Sequence, residues 1–299
     1  MLPAMSAATM RGHEGTSFVV TTNDEGLRMS ARKVRTPGVD RVVLLGDSTT
    51  FGWGVDDGST IADALATGLS SAGERVEVLN AGQPGYSTTQ MGSLYDRVLH
   101  LYDPDVVVVF VPMHDDNRVL VSDREHLEGS SGVLAGTRVF LADNSRLYQI
   151  LRQAVYPLSH EPALVPGRDQ SAEVRVPRAS DAERGVTFDR LRAAVADSGG
   201  QVAIGHLPFL ADLLGEAREP RFSVPWAAEY ASRTGTPIVD LRTCCEGLGG
   251  EALVLPLDHG HLNAEGNRVV GLAAVEAVRA LLAQGSASGS AEPTAASNR

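Results

Sequence analysis

The chain has only two cysteines among its 299 residues, Cys244 and Cys245, and they are adjacent in the sequence. Two neighbouring cysteines do not make the disulfide framework of a small secreted domain, and they suit a reducing compartment. We therefore interpret both as structural residues. Long apolar runs are missing as well, because no stretch approaches the ~20 residues that a membrane-spanning helix needs.

Positive charge is also scarce. The chain carries 26 Lys and Arg residues against 37 Asp and Glu residues, a net charge of −11, and it has no sizeable basic run. This balance argues against nucleic acid or an anionic membrane surface as the main partner. Residues 1–15 contain no apolar segment typical of a secretory signal, so we expect a cytoplasmic protein.

The remaining composition, 43% hydrophobic and 21% charged, is ordinary for a globular protein. We expect residues 1–17 and the low-complexity tail 285–299 to be disordered, and residues 18–284 to form a single domain. Residues 118–180 form a long, polar, irregular insertion, interrupted by one predicted helix over 145–155. A loop of this length is typical of either a substrate lid or a surface excursion.

Five Val-rich apolar runs predict buried strands, and helical patterns separate them. The alternation predicts an α/β fold: a flavodoxin-like, doubly wound, mostly parallel five-stranded sheet with helices on both faces. The predicted strands cover 41–45, 76–79, 105–111, 201–206 and 237–241. The predicted helices cover 60–69, 88–101, 145–155, 182–196, 225–233 and 264–283.

Reactive side chains in such a sheet gather beyond the carboxyl ends of its strands. The first predicted strand runs into Ser48, and Asp258 and His261 lie just before the last predicted helix. A hydroxyl, an imidazole and a carboxylate are the three parts of nucleophilic acyl transfer. The loops after the second and third strands, 80–86 and 112–117, are expected at the same edge. The sequence therefore predicts one site built from four segments.

These motifs resemble the SGNH (GDSL-type) hydrolase family over roughly residues 42–282. The resemblance is carried by Gly-Asp-Ser-Thr-Thr-Phe-Gly-Trp-Gly at 46–54 and Asp-His-Gly-His-Leu-Asn at 258–263. It implies that Ser48 is the nucleophile, His261 the general base and Asp258 its orienting carboxylate. It also implies that the backbone N–H groups of Ser48 and Gly85 bind the oxyanion, with Gly82 as the alternative for the second donor.

The third block of the family departs from its usual form in this chain. The family normally has Gly-x-Asn-Asp there, and the Asn side chain is the third oxyanion donor; residues 112–115 read Pro-Met-His-Asp. We expect His114 to replace that amide, with Asn117 as the less direct alternative. The change leaves slow hydrolysis, an altered pH dependence or a different reaction open. We interpret Asp47 as stabilising the nucleophile turn and Trp53 as a packing residue.

The resemblance implies a serine hydrolase, esterase-like or lipase-like, that cleaves a carboxylic ester of a small or lipid-like acyl group without a cofactor. Three alternatives stay open. The first is an acyltransferase that passes the same acyl group to a metabolite hydroxyl or amine. The second is metal-dependent hydrolysis, and the third is a binding module without catalysis. The candidate metal ligands are His114, Asp115, Asp116, Asp258, His259 and His261. The oligomeric state is left open.

Overall fold

Eleven strands and eight α-helices make up the part of the chain that the computed structural model describes: residues 5–12, 16–29, 34–119, 121–129, 176–208, 213–214, 223–256 and 258–289. The strands are β1 (Met5–Arg11), β2 (Ser17–Thr22), β3 (Asp40–Gly46), β4 (Val76–Gly82), β5 (Val106–Phe110), β6 (Arg118–Val119), β7 (Val176–Pro177), β8 (Gln201–His206), β9 (Ile238–Asp240), β10 (Val254–Leu255) and β11 (Asp258–Leu262). The helices are α1 (Ser48–Phe51), α2 (Ile61–Ser71), α3 (Thr88–Arg97), α4 (Asp123–Gly129), α5 (Asp181–Asp197), α6 (Ser223–Thr234), α7 (Ala264–Ala273) and α8 (Val275–Gly289). Short 3₁₀ turns cover Leu99–Tyr102, Met113–Asp116 and Gly250–Ala252.

The central sheet has the strand order β4-β3-β5-β8-β9, and all of its neighbouring strands are parallel. The flavodoxin-like, doubly wound fold predicted from the sequence is therefore confirmed. The five strands lie where the apolar runs predicted them: β8 and the start of β4 match their predictions, and the remaining ends differ by one to three residues. The side chains of Ser87 and Asn263 cap α3 and α7.

Apolar side chains of the sheet point alternately to two cores. Val42 and Leu44 of β3 pack on one face with residues of α2, α7 and α8. Val43 and Leu45 pack on the other face with residues of α3, α5 and α6. Burial on both faces explains why these strands read as continuous apolar runs. No helix in the described ranges is long and apolar enough to cross a membrane.

The N-terminal residues differ from the disorder that we expected over 1–17. β1 pairs with β2 as an antiparallel hairpin that is separate from the central sheet. β2 alternates exposed and buried residues, and Phe18 and Val20 are 2% and 0% exposed. A half-buried strand with period two is ordered by its apolar face and offers an edge for β1.

The C-terminal end also differs from expectation. The single helix predicted over 264–283 is two helices, interrupted at Ala274, and the second continues to Gly289. We expected Gly285 to end it, but glycine ends a helix by adopting a left-handed conformation, and Gly285 does not. The tail predicted to be disordered from 285 therefore begins as helix.

Only the two ends of the 118–180 insertion are described. β6 pairs with β7, so Arg118 lies opposite Pro177 and Val119 opposite Val176. The ends of the insertion therefore meet beside the third strand-end loop. The helix predicted over 145–155 lies outside the described residues.

Candidate active site

Ser48 is the first residue of α1, directly beyond the carboxyl end of β3. The side chain of Asp47 caps this helix by accepting a hydrogen bond from the Thr49 N–H at 2.9 Å. α1 ends after four residues, where Gly52 adopts the left-handed conformation at φ 80°. Gly46 must lack a side chain because a Cβ there would collide with Thr50. The strand therefore turns sharply into a very short helix that presents Ser48 at the sheet edge.

His261 and Asp258 lie on β11, which forms a two-stranded hairpin with β10. The Nε2 atom of His261 is 2.8 Å from the Ser48 Oγ, across 213 residues of sequence. Its Nδ1 atom is 3.0 and 3.1 Å from the two carboxylate oxygens of Asp258. Asn263 fastens this hairpin to α7, because its side chain caps the helix and donates to the Val254 carbonyl.

These three side chains form a continuous chain of hydrogen bonds. A carboxylate only accepts, so the proton of a neutral His261 ring lies on Nδ1, and Nε2 is left to accept the Ser48 hydroxyl proton. The side chains of His261 and Asp258 are only 16% and 10% exposed. An imidazole held in this tautomer can take a proton from a serine as the serine attacks a carbonyl carbon.

The loop after β4 offers two glycine N–H groups, and the structure distinguishes them. The Gly82 N–H donates to the Asn80 side chain at 3.0 Å, so it is already engaged. Gly82 serves close packing instead, because a Cβ there would collide with the backbone of Phe51 in α1. No partner among the described residues is assigned to the N–H of Gly85 or of Ser48. Of the two glycine N–H groups, that of Gly85, which has φ 76°, is therefore the one without an assigned partner among the described residues.

His114 lies in the 3₁₀ turn after β5 and contacts the segments that follow the other two strands: Asp47 after β3 and Tyr86 after β4. Its Nε2 atom is 2.8 Å from the Tyr86 carbonyl, which can only accept, so Nε2 carries a proton. Its Nδ1 atom faces the Asp47 carboxylate at 3.6 Å. Both ring nitrogens therefore face partners other than Ser48. The predicted role of His114 as an oxyanion donor stays a prediction. Asn117, the alternative, is exposed, and its backbone pairs with His114 and Arg178.

The two acidic residues after His114 have structural partners. Asp115 is fully buried and accepts hydrogen bonds from the Thr88 N–H at 2.9 Å and its hydroxyl at 2.6 Å. Burial raises the pKa of Asp115 to about 6, while Thr88 and Arg184 oppose the shift. Asp116 pairs with Arg184 at 2.9 Å. Within the described residues, no three His, Cys, Asp or Glu side chains are grouped so that they could hold a metal ion.

Two residues contact the site in ways that the sequence analysis did not anticipate. The ring centre of Trp53 lies 6.3 Å from that of His261. The ring of Phe18 packs edge-on against the Trp53 ring, with 5.4 Å between the ring centres. Arg178, at the end of the insertion, donates to the Gly85 carbonyl at 3.0 Å and to Asp123. Trp53 stands inside the Gly-x-Gly part of the first motif, which was a usable signal, whereas nothing local marks Arg178.

Solved structures similar to this chain support the fold. An alpha/beta hydrolase enzyme from the metagenome of Lake Arreo, Spain, is 18% identical, covers 83% of this chain and 98% of its own, and gives a TM-score of 0.50. The psychrotrophic esterase EstA from Pseudoalteromonas sp. is 11% identical over 82% of this chain and 99% of its own, also at a TM-score of 0.50.

Among curated protein sequences none matches this chain. A family model does match, over residues 44–269, which is most of the chain and contains Ser48, Gly85, Asp258 and His261. The order of the motifs, the doubly wound parallel sheet and this match agree with one another. The chain belongs to the GDSL-like lipase/acylhydrolase family.

Proposed function

We propose that this protein is a serine esterase that cleaves a carboxylic ester of a small or lipid-like acyl group through an acyl-Ser48 intermediate. The observation that carries the proposal is the hydrogen-bonded chain from the Ser48 Oγ through His261 to Asp258. Family membership supports the same reaction class. All three groups are side chains of this protein, so the reaction needs no cofactor.

In the first half of the reaction, the Ser48 oxygen attacks the ester carbonyl carbon while its proton moves to His261 Nε2. The imidazolium that forms is stabilised by the Asp258 carboxylate on the opposite side of the ring. His261 then gives the proton to the departing alcohol oxygen, which leaves the acyl group on Ser48. In the second half, a water molecule repeats the attack with His261 as its base, and the acid is released.

The charge that develops on the carbonyl oxygen needs donors. The N–H groups of Ser48 and Gly85 are assigned this role because the Gly82 N–H is bound to Asn80. Arg178 supports the Gly85 loop through the Gly85 carbonyl. One such donor is typically worth about 3–4 kcal/mol of barrier, so the placement of this loop matters to the rate.

The test is intact-protein mass spectrometry after treatment with a fluorophosphonate, on wild type and on Ser48→Ala. We expect one adduct on wild type and none on Ser48→Ala, and ester turnover that falls by about 10⁵–10⁶-fold in the variant. Ser59→Ala, a partly buried serine on the same loop, is the matched control and should label and turn over like wild type. An unlabelled, folded wild type, or a Ser48→Ala variant with full turnover, would contradict the proposal.

A second candidate is acyl transfer to a metabolite hydroxyl or amine, because Arg178 joins one end of the long polar insertion to the Gly85 loop. Transfer uses the same acyl-Ser48 intermediate, so labelling does not separate the two reactions. Product analysis does: an acyl donor is incubated with candidate acceptors, and the acylated acceptor is measured against the free acid. Free acid as the sole product, whichever acceptor is present, favours hydrolysis.

A further inference from the structure

The N-terminal residues that precede the family-matched region 44–269 pack directly on residues 48–57, which we call the nucleophile loop. Phe18 and Val20 of β2 form a small apolar cluster with Phe51, the last residue of α1, and Trp53 packs against it. Both β2 residues and Phe51 are almost completely buried. The hairpin therefore packs against the last residue of α1, three residues after Ser48.

Backbone contacts attach the same strand to the end of that loop. The Val19 N–H donates to the Asp56 carboxylate at 2.7 Å, and the Val19 carbonyl accepts from the Asp57 N–H at 3.1 Å. The hairpin is thus bonded to residues 56–57 as well as packed on residues 51–53. A shift of β2 would move both ends of the segment that follows α1.

The buried side chain of Arg28 binds both β2 and the residues that follow Ser48 in the nucleophile loop. Its side chain is only 3% exposed, and its guanidinium lies 5.0 Å from the centre of the Phe51 ring. One terminal nitrogen donates to the carbonyls of Phe51 and Gly52 at 3.1 and 2.6 Å. The other donates to the carbonyls of Val55 and Val19 at 2.7 and 3.2 Å, while Nε pairs with Asp57 at 3.2 Å.

These carbonyls need an external donor. α1 has only four residues, so the carbonyls at its end and in the following turn have little helix to bond with. A buried carbonyl without a partner is costly. The planar guanidinium has five donors spread over a rigid fork, whereas an ammonium has three donors on a single atom and reaches fewer of these carbonyls. The Asn80 amide also donates to the Phe51 carbonyl at 3.3 Å, and the Val55 N–H donates to the Gly52 carbonyl at 3.4 Å. Arg28 therefore supplies the charged share of the hydrogen bonds that a longer nucleophile helix would make for itself.

We propose that Arg28 is a positioning residue for the nucleophile: by binding the carbonyls after α1 and tying them to β2, it holds the Ser48 Oγ within hydrogen-bonding distance of His261. The inference rests on the proposed function, since it assigns Ser48 as the nucleophile. The same contacts keep Trp53 between Phe18 and the His261 ring. The N-terminal hairpin is then part of the working site although it lies outside the family-matched residues.

The experiment compares wild type with Arg28→Met, Arg28→Lys and the control Arg41→Met. Arg41 is an equally buried arginine, 1% exposed, that donates to the carbonyls of Tyr102 and Val34 and pairs with Glu77. It stands at the amino end of β3, roughly 20 Å along the strand from Ser48. The readouts are the rate of fluorophosphonate labelling, kcat and KM on 4-nitrophenyl acetate, and the thermal midpoint.

We expect Arg28→Met to lower the labelling rate and kcat together by about 10- to 100-fold with KM nearly unchanged, because the nucleophile is misplaced rather than the substrate released. Arg28→Lys should recover part of that loss. Arg41→Met should lower the thermal midpoint but keep kcat and labelling per folded molecule. Arg28→Met with wild-type kcat and labelling would overturn the proposal, and so would an Arg41→Met variant that loses as much kcat as Arg28→Met.

Two outcomes need separate interpretation. If Arg28→Met does not fold, Arg28→Lys decides: a reduced kcat at unchanged KM supports the inference, and a wild-type kcat overturns it. If wild type itself is not labelled at Ser48, the proposed function has failed. Labelled wild type with equally labelled Arg28 variants leaves the proposed function standing and removes only the positioning role.

Discussion

His114 shows how one side chain can serve structure and chemistry in conflicting ways. The residue stands where the family normally has asparagine, which has an amide N–H to offer an oxyanion. In this chain the imidazole instead donates to the Tyr86 carbonyl at 2.8 Å and turns its other nitrogen to Asp47. The ring therefore connects the loops after β3, β4 and β5, and each of its two nitrogens already faces a partner.

The substitution His114→Asn separates the two roles. We expect a lower thermal midpoint, because a hydrogen bond to Tyr86 worth about 1 kcal/mol is lost, and a kcat on 4-nitrophenyl acetate that is retained or raised by the new amide donor. His114→Ala, which removes both functions, is the matched control and should lose stability without any gain in kcat. A kcat that falls more than about tenfold in His114→Asn would show that the imidazole itself binds the oxyanion.

The helices α2 and α7 approach each other closely, and a glycine makes this possible. A Cβ on Gly271 of α7 would meet the Ile61 carbonyl and the Ala64 side chain at 2.6 Å. Backbone at that distance cannot move aside cheaply, so the two helices would have to separate. α7 follows directly on the hairpin that carries His261, but Gly271 is two helical turns further along.

We expect Gly271→Ala to destabilise the fold by about 1–3 kcal/mol through overpacking, while kcat of the folded protein changes little. Gly185→Ala in α5 is the control, because a Cβ there meets nothing within 4 Å and alanine favours helix by up to about 1 kcal/mol. Urea unfolding followed by far-UV circular dichroism measures both changes. Equal stabilities for the two variants would mean that the helices separate without cost.

Local sequence patterns were enough to predict most of the strands and helices and three of the site residues. Continuous Val-rich runs marked the sheet because it is buried on both faces, and Ser48, Asp258 and His261 could be named from motifs at strand ends. β1 was missed because it is ordered only through its partner, although the alternation of Phe18 and Val20 was visible. Arg28 was missed because three of its four carbonyl partners are more than 20 residues away and carbonyls leave no trace in a side-chain pattern.

At the scale of the whole molecule, two apolar regions of very different size hold the nucleophile loop in place. Ser48 follows β3, whose side chains belong to the two large apolar cores of the sheet. The end of its helix is held by a far smaller cluster around Phe18, Val20 and Phe51. Local unfolding is easiest where few apolar contacts are buried, so the N-terminal hairpin should open before the sheet does.

The two tryptophans of the chain report on these regions separately. Trp53 packs on Phe18 after α1, whereas Trp226 packs with Phe188 and Tyr230 in the core that α3, α5 and α6 form on one face of the sheet. In a Trp226→Phe variant, we expect Trp53 fluorescence and esterase activity to change together, at lower urea than far-UV circular dichroism. In a Trp53→Phe variant, Trp226 fluorescence should follow the circular dichroism instead. Coincidence of all these transitions would mean that the hairpin opens only with the sheet, whereas early loss of activity at intact circular dichroism would place the weakest part of the site in the residues before β3.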